Sequence, residues 1–212
     1  NAMLSTNAFR KLVEPFYNQN VGCVAGEKRI SMNITENAAA TGEGVYWKYE
    51  SFIKKLESDC NSTLSATGEL YAIRTELFEK VDNNTILDDF VISTSILKKG
   101  LLVKYIPEAY ACESASANIR EEKKRKVRIA AGSFQALFRN LELLNPFKHP
   151  FLTFQFISHK ILRWFLLPIS LVLIPILNIL ILLVEKPSII YITTLMVQIL
   201  VLIAIVMFGF SI

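Results

Sequence analysis

Two long runs without charged residues lie at the C-terminal end of the chain and constrain its fold most strongly. The first spans residues 165–184 and the second residues 189–210, and only Glu185-Lys186-Pro187-Ser188 separates them. A run of about 20 apolar residues is long enough to cross the hydrocarbon core of a bilayer as a helix. Because the connection is so short, we expect residues 165–212 to form a transmembrane helical hairpin.

The earlier part of the chain carries nearly all the charge, which is typical of one soluble domain. Over all 212 residues, 52% are hydrophobic and the mean hydropathy is +0.36, which is too apolar for an ordinary soluble protein. The net charge of +4 is modest and concentrated near the apolar end. This distribution favours membrane lipids or an anionic phosphate as partner, and not nucleic acid. The three cysteines form no C-x-x-C pair, which favours a reduced, cytosolic setting.

Basic residues predict the orientation of the hairpin. The connection between the two runs holds one lysine, whereas several basic residues precede the first run: Lys148, His149, His159, Lys160 and Arg163. Because positive residues stay on the cytoplasmic side of a membrane, we expect a multi-pass protein of the cell membrane whose N-terminal part is cytoplasmic. Residues 146–164 are predicted to form a juxtamembrane interface segment, with both histidines near the bilayer.

The N-terminal part alternates helical and strand patterns, which is typical of an α/β domain. Short runs of small and β-branched residues predict strands over residues 21–26 and 101–106, with Pro107 closing the second. Apolar residues at helical spacing predict a helix over residues 41–57. A second helix is predicted over residues 88–99, where Gly100 stops it, and a long helix with a basic first half over residues 118–140.

The helix predicted over residues 41–57 has two faces. Its apolar face is predicted to pack in the core: Val45, Tyr46, Tyr49, Phe52, Ile53 and Leu56. Its charged residues are predicted to face solvent: Lys48, Lys54, Lys55 and Glu57. Glu50 lies among the apolar positions and is interpreted as a partly exposed helix carboxylate.

Asp88 and Asp89 begin the helix predicted from residue 88 and are the first candidates for chemistry. The positive end of the helix macrodipole and the free N–H groups stabilise a carboxylate there, so Asp89 is a candidate catalytic base. Spacing alone leaves a second interpretation open, in which Asp88 is an N-cap and Asp89 a favourable first-turn acid.

Arg125 and Arg128 lie three residues apart on one face of the helix predicted over residues 118–140, as a clamp on a diphosphate requires. Two other interpretations stay open, namely pairs of Glu121 with Arg125 and of Glu122 with Lys126 within the helix, or a basic patch on anionic lipid. The sequence contains no P-loop or dinucleotide fingerprint, and its histidines have no partners at the spacing of a zinc site or a Ser/His triad.

The order of these motifs resembles that of family 2 glycosyltransferases. Thr67-Gly68 precedes Ala72-Ile73-Arg74, Asp88-Asp89 follows, and Arg125-Lys126-Val127-Arg128 comes before Gly132 and Gln135. With the adjacent membrane hairpin, residues 21–164 resemble the membrane-bound group that includes the cellulose, hyaluronan and poly-N-acetylglucosamine synthases. The resemblance implies an incomplete GT-A-like (Rossmann-like) domain, with residues 1–145 as its cytosolic acceptor-side half.

The resemblance implies an inverting transfer of a sugar from a nucleotide-diphosphate sugar to a glycan or lipid-linked acceptor, in polysaccharide or envelope glycan synthesis. Asp89 matches the family's general base and Asp88 the acid before it. The implied substrate-binding residues are Thr67, Gly68, Glu69 and Arg74, and, at the donor's diphosphate, Arg125 and Arg128. The family's Gln is Arg125 here and its Trp is Ile129, so the aromatic platform that supports an acceptor sugar in processive members of the family is missing.

The family places a nucleotide-binding half, with an Asp-x-Asp metal motif, before the region matched here. The resemblance therefore implies that the complete enzyme uses Mg²⁺ or Mn²⁺ through ligands ahead of Asn1, and that these 212 residues bind no metal and are inactive alone. The alternative from another class is a non-catalytic membrane-anchored remnant or partner subunit.

Overall fold

A mixed β-sheet forms the centre of the N-terminal part. The computed structural model describes residues 3–31, 38–114, 119–184 and 188–211. Within these residues the sheet has four strands in the order β1-β4-β2-β3. The strands are β1 Met3–Leu4, β2 Val21–Ser31, β3 Tyr71–Ile73 and β4 Leu102–Ser114. β2 and β4 pair in parallel, whereas β1 and β3 pair antiparallel at the two edges. The sheet and its helices fit the predicted α/β class.

Helices cover both faces of this sheet and continue beyond it to the C-terminal end. They are α1 Ala8–Val13, α2 Ala38–Cys60, α3 Asp88–Lys98, α4 Ile119–Arg139, α5 Pro150–Gln155, α6 Leu167–Val184 and α7 Ile189–Ser211. A π-helical segment, Phe156–Leu166, connects α5 to α6. Short 3-10 turns are found at Glu14–Tyr17, Thr75–Leu77 and Leu141–Leu144.

Alternation along β2 divides the core between the two sheet faces. Cys23 and Ala25 pack on one side, in a buried cluster with Phe90 and Ile96 of α3. Val24 points to the other side and packs in a second cluster that includes Ala8 and Leu12 of α1. The candidate site lies on the α3 side of the sheet, because Phe90 of this first cluster directly follows Asp89 in α3.

The predicted helices over residues 41–57, 88–99 and 118–140 are confirmed as α2, α3 and α4. Gly100 follows α3 with a φ of 79°, as expected for a C-terminal glycine. The predicted end of the second strand at Pro107 is wrong, since β4 continues to Ser114. Residues 107–109 fall in a register shift against β2, and such a bulge accommodates a proline that cannot donate a backbone hydrogen bond.

The predicted orientation of α2 is wrong in part. Lys48 and Lys55 are exposed as predicted, and the side chains of Val45 and Tyr46 lie outside the described residues. Tyr49 and Phe52 are 53% and 59% exposed, whereas Glu50 and Lys54 are only 5% and 6% exposed. The interpretation of Glu50 as a partly exposed carboxylate and the solvent-facing position of Lys54 are therefore both corrected. The polar face turns inward because charged groups from distant parts of the chain meet it there, as described below.

The C-terminal helices pack against each other. Asn178 of α6 donates hydrogen bonds from Nδ2 to Tyr191 O and Gln198 Oε1 of α7, both at 3.3 Å. Among the described residues, no single helix is long and apolar enough to cross a membrane. The helical segments Pro150–Leu166 and Pro168–Val184, taken together, have the length and apolar composition of a membrane span, with a bend of 56° between them. Ile189–Ala204 is a shorter apolar helical segment. The connection at residues 185–187 is outside the described residues.

Candidate functional site

Asp89 is fixed in the first turn of α3. The helix begins at Asp88, with Leu87 in the N-cap position, so the interpretation of Asp88 as the N-cap is wrong. Asp89 Oδ1 accepts a hydrogen bond from Phe90 N at 2.8 Å. The hydroxyl of Ser93 donates to Asp89 O at 2.6 Å and accepts from Ala66 N at 2.7 Å. This buried serine therefore joins the first turn of α3 to the chain just before Thr67.

The turn at Thr67 and Gly68 lies directly beside the Asp89 carboxylate. Thr67 Oγ1 donates to Gly26 O of β2 at 2.8 Å, which fixes the turn against the sheet. A Cβ atom added to Gly68 would lie 3.3 Å from Asp89 Oδ2. The structure thus brings together the predicted base and two of the predicted acceptor-site residues, and glycine leaves the space in front of the carboxylate open.

Lys54 of α2 supplies a buried positive charge to this turn. Its Nζ donates to Thr67 Oγ1 at 3.2 Å. Burial lowers the pKa of Lys54 to about 8, and the nearby charge of Lys160 acts in the same direction, while Glu50 and Asp89 oppose both. The ammonium group is therefore charged at neutral pH and loses its proton in the mildly alkaline range.

Burial also raises the pKa of the Asp89 carboxyl above its usual value. The hydrogen bond from Phe90 N and the charges of Lys54 and Lys160 oppose this rise, whereas the neighbouring charge of Asp88 adds to it. A carboxylate with a raised pKa is a better proton acceptor than an exposed one, provided that neighbouring cations keep it ionised at working pH.

Glu50 is the centre of a buried cluster of charges that connects α2 to the π-helical segment. Its Oε1 accepts from Lys160 Nζ at 3.1 Å, and its Oε2 lies 3.4 Å from His159 Nε2. Arg163 donates a further hydrogen bond to the same carboxylate. Burial alone raises the pKa of Glu50, but these cations and the imidazole hold it well below its usual range. His159 and Lys160 are both buried within the protein, and the position of His149 and His159 near the bilayer stays a prediction.

Aromatic contacts place the π-helical segment immediately behind Asp89. The ring of Phe90 lies 5.9 Å from that of Phe156 and 5.8 Å from that of Trp164, measured between centroids. Offset and edge-on arrangements at these distances are favourable. Together with the charges on Glu50, they fix the first turn of α3 between α2 and the segment that leads to α6.

Glu69 and Arg74, two predicted substrate-binding residues, both have partners within the fold. Glu69 accepts a hydrogen bond from the buried ammonium group of Lys28, which also donates to Glu113 Oε2 at 2.8 Å. Arg74 Nε donates to Val21 O at 2.8 Å. These contacts give Arg74 a structural role, in which it fastens the end of β3 to the start of β2.

Arg74 reaches further along the chain that precedes β2. Its Nη2 donates to Phe16 O at 2.8 Å and to Asn18 O at 3.2 Å, and its guanidinium lies 5.3 Å from the centroid of the Phe16 ring. The guanidinium is therefore engaged by backbone carbonyls at the opposite end of β3 from the Thr67 turn. A substrate contact for Arg74 stays a prediction.

Helix α4 fixes the loop that leads into Asp88. Gln135 Oε1 accepts from Ile86 N at 2.9 Å, and its Nε2 donates to Asn84 O at 2.8 Å. One turn earlier, a Cβ atom on Gly132 would lie 2.7 Å from Leu87 Cγ. Close contact at Gly132 and the amide of Gln135 therefore set the position at which α3 starts.

Arg125 and Arg128 lie on the same stripe of α4 as Gly132 and Gln135, because the four positions are separated by three, four and three residues. Arg125 is half-buried and Arg128 is exposed. The face that contacts the loop before Asp88 therefore continues towards the N-terminal end of α4 with two guanidinium groups. Pairing with Glu121 and Glu122 is not described, since both side chains are outside the described residues.

Metal ligands are not grouped in the part of the chain that the structure describes. No set of three or more His, Cys, Asp or Glu side chains converges there in a way that could hold a metal ion. Asp88 and Asp89 alone do not fit the requirement, since divalent metals in proteins take several oxygen ligands.

Comparison with known protein families decides the identity of this fold. The family model described as "Glycosyl transferase family group 2" matches residues 2–211. The chain belongs to this glycosyltransferase family. A comparison with curated proteins gives no match. Within this glycosyltransferase, the predicted candidates Asp89, Thr67 and Gly68 lie together, and Gln135 and Gly132 of α4 contact the loop that leads into Asp88.

Sequence reasoning missed the buried charges of this glycosyltransferase, which are Glu50, Lys54 and Lys160. A signal for them was present in α2, where Glu50, Lys54 and Glu57 recur at spacings of four and three residues and so share one face. That stripe competes with the apolar stripe on the same helix. Only the position of the partners decides which of the two stripes faces inward.

Proposed function

We propose that this glycosyltransferase moves a sugar, with inversion, from a nucleotide-diphosphate sugar to a hydroxyl group of a glycan or lipid-linked acceptor. The observation that carries the proposal is the position of Asp89, a half-buried carboxylate in the first turn of α3 whose Oδ2 faces the Thr67-Gly68 turn. An acceptor hydroxyl bound over Gly68 is within reach of that oxygen.

In the proposed reaction Asp89 accepts the proton of the acceptor hydroxyl. The acceptor oxygen forms a bond to the anomeric carbon of the donor sugar while the bond from that carbon to the diphosphate breaks. A single displacement by one nucleophile inverts the anomeric centre, and general-base catalysis of this kind contributes about 10²–10⁴-fold. Asp88 is the acid directly before the proposed base, and we assign it to the same catalytic site.

Arg125 and Arg128 are proposed to bind the diphosphate of the donor. Their shared stripe on α4 continues from the face that contacts the loop before Asp88. Two guanidinium groups match the bidentate geometry of phosphate oxygens and stabilise the charge that develops on the leaving group. A divalent cation, Mg²⁺ or Mn²⁺, is proposed to assist the same charge, and no step assigned to this chain's residues depends on it.

The reaction is proposed to take place at the cell membrane, in a multi-pass protein whose catalytic part is cytoplasmic, as part of polysaccharide or envelope glycan synthesis. The proposal is supported by α6 and α7, which pack together through Asn178 yet leave apolar side chains such as Leu183 and Val184 exposed, at 76% and 84%. Apolar surface of this kind is suited to contact with membrane lipids.

The decisive test is Asp89→Asn in the full-length protein, assayed for release of nucleoside diphosphate with a panel of nucleotide sugars. We expect transfer to be lost, because the amide cannot accept the proton, while nucleotide binding by calorimetry is retained. Asp82→Asn, an exposed acid upstream in the same loop, is the matched control and should keep wild-type turnover. Undiminished turnover of Asp89→Asn would remove this residue from the mechanism, and absence of turnover in the wild type with every donor would favour the non-catalytic alternative.

A further inference from the structure

We propose that Lys54 is a positioning residue for glycosyl transfer, which holds the acceptor turn through Thr67 and provides the counter-charge for the Asp89 carboxylate. This inference rests on the proposed function, because it assigns a partner to the same base. It concerns a residue that lies on α2, away from the motifs that indicate the family.

The geometry around Thr67 makes Lys54 part of the site. The Thr67 hydroxyl donates to Gly26 O at 2.8 Å and accepts from Lys54 Nζ at 3.2 Å. The proton and a lone pair of this hydroxyl are thus both used, and the turn is held between β2 and α2. Gly68 is the next residue, and a Cβ atom added to it would lie 3.3 Å from Asp89 Oδ2.

The burial of Lys54 indicates a specific role for its charge. The residue is 6% exposed, and lysines are almost never buried this far unless they are paired. Lys28 and Lys160 each donate directly to a carboxylate. Lys54 instead donates to the neutral hydroxyl of Thr67, so its charge acts through space on the groups around it.

Charged groups on four elements act on Lys54. Glu50 lies one turn earlier on α2, Glu69 belongs to the Thr67 turn and Asp89 lies in the first turn of α3, and all three favour the charged lysine. Lys160 of the π-helical segment disfavours it. Asp88 acts on the same site through Asp89, whose pKa it raises. The net effect is an ammonium group that favours the ionised form of Asp89.

The test compares Lys54→Met with Lys54→Arg in the full-length protein, by the dependence of kcat on pH. Without the charge of Lys54, we expect the acidic limb of the profile to move up by roughly one pH unit, so that kcat at a fixed pH on that limb falls up to about tenfold, since an opposite charge nearby shifts a carboxyl pKa by about 1–3 units. Lys54→Arg should keep the acidic limb and lose any alkaline limb near pH 8, because arginine stays protonated.

Lys55→Met is the matched control, because Lys55 is the exposed neighbour on the same helix, and it should behave as the wild type. A wild-type pH profile and kcat in Lys54→Met would overturn the inference. A displaced acidic limb in Lys54→Arg would overturn the inference as well, since a positive charge at this position would then not be sufficient to keep Asp89 ionised. If Lys54→Met does not fold, as judged by its melting curve, the profile of Lys54→Arg alone decides.

Asp89→Asn, measured beside these variants, separates this inference from the proposed function. An active Asp89→Asn enzyme overturns the proposed base and with it the role of Lys54. An inactive Asp89→Asn enzyme combined with an unaltered Lys54→Met enzyme overturns only the role of Lys54.

Discussion

Replacement of Glu50 by Gln tests whether the buried charge cluster fastens the π-helical segment to α2. The substitution keeps the shape of the side chain and removes its charge. It leaves Lys160, which is 5% exposed, without the carboxylate that balances it. It also weakens the contacts of the same carboxylate with His159 and Arg163.

The expected loss of stability follows from the burial of these groups. Removal of one partner from a buried ion pair costs about 3–5 kcal/mol, because the remaining charge is left without compensation. The lower end of that range applies here, since the Arg163 side chain is 25% exposed and can turn to water, and since glutamine can still accept a hydrogen bond. A loss of about 3 kcal/mol lowers the melting temperature by roughly 6–12 °C in a chain of this size.

The assay is urea unfolding of the full-length protein followed by the fluorescence of Trp164, in a background in which every other tryptophan, Trp47 included, is replaced by Phe. Trp164 reports on the π-helical segment because its ring packs against Phe90 at 5.8 Å. Glu79→Gln is the matched control, since Glu79 is 65% exposed in its pair with Lys99 and such pairs contribute about 1 kcal/mol or less.

Two results of this assay would refute the reasoning. The first is a loss for Glu50→Gln no larger than that for Glu79→Gln. The second comes from the double variant Glu50→Gln, Lys160→Met, which removes both charges and should recover most of the stability. If the double variant is less stable than Glu50→Gln alone, the uncompensated Lys160 charge is not the source of the loss.

Two further predictions concern pH and the start of α3. The pKa of the Glu50 carboxyl is below its usual value in the folded protein, so the unfolded chain binds the proton more readily than the folded chain. The stabilisation from Glu50 is therefore complete above about pH 5 and is lost as the pH falls. The free energy of unfolding should accordingly depend less on pH below 5 in Glu50→Gln than in the wild type. Gly132→Ala should lower kcat and cost roughly 1–3 kcal/mol of stability by overpacking, since its Cβ would meet Leu87 Cγ at 2.7 Å and displace the residue before Asp88. Turnover and melting temperature unchanged from the wild type would show that this contact does not set the position of α3.

Local signals in the sequence determined much of the chain's secondary structure. Helix α3 begins with the acids at residues 88 and 89 and ends before the glycine at residue 100, as predicted, because the helix dipole and the C-terminal cap act within one or two turns. The long helix predicted over residues 118–140 is likewise confirmed as α4. The order of the motifs also pointed to the glycosyltransferase family, since that order is a property of the chain itself.

Only the tertiary structure decided which groups surround Asp89. Periodicity shows that the faces of α2 differ, but Glu50 and Lys54 turn inward because partners meet them from other elements. Lys160 is 110 residues from Glu50 along the chain, and Thr67 is 13 residues from Lys54. A buried charge is stable only where such partners converge, and convergence over that separation depends on the folded backbone, not on local sequence.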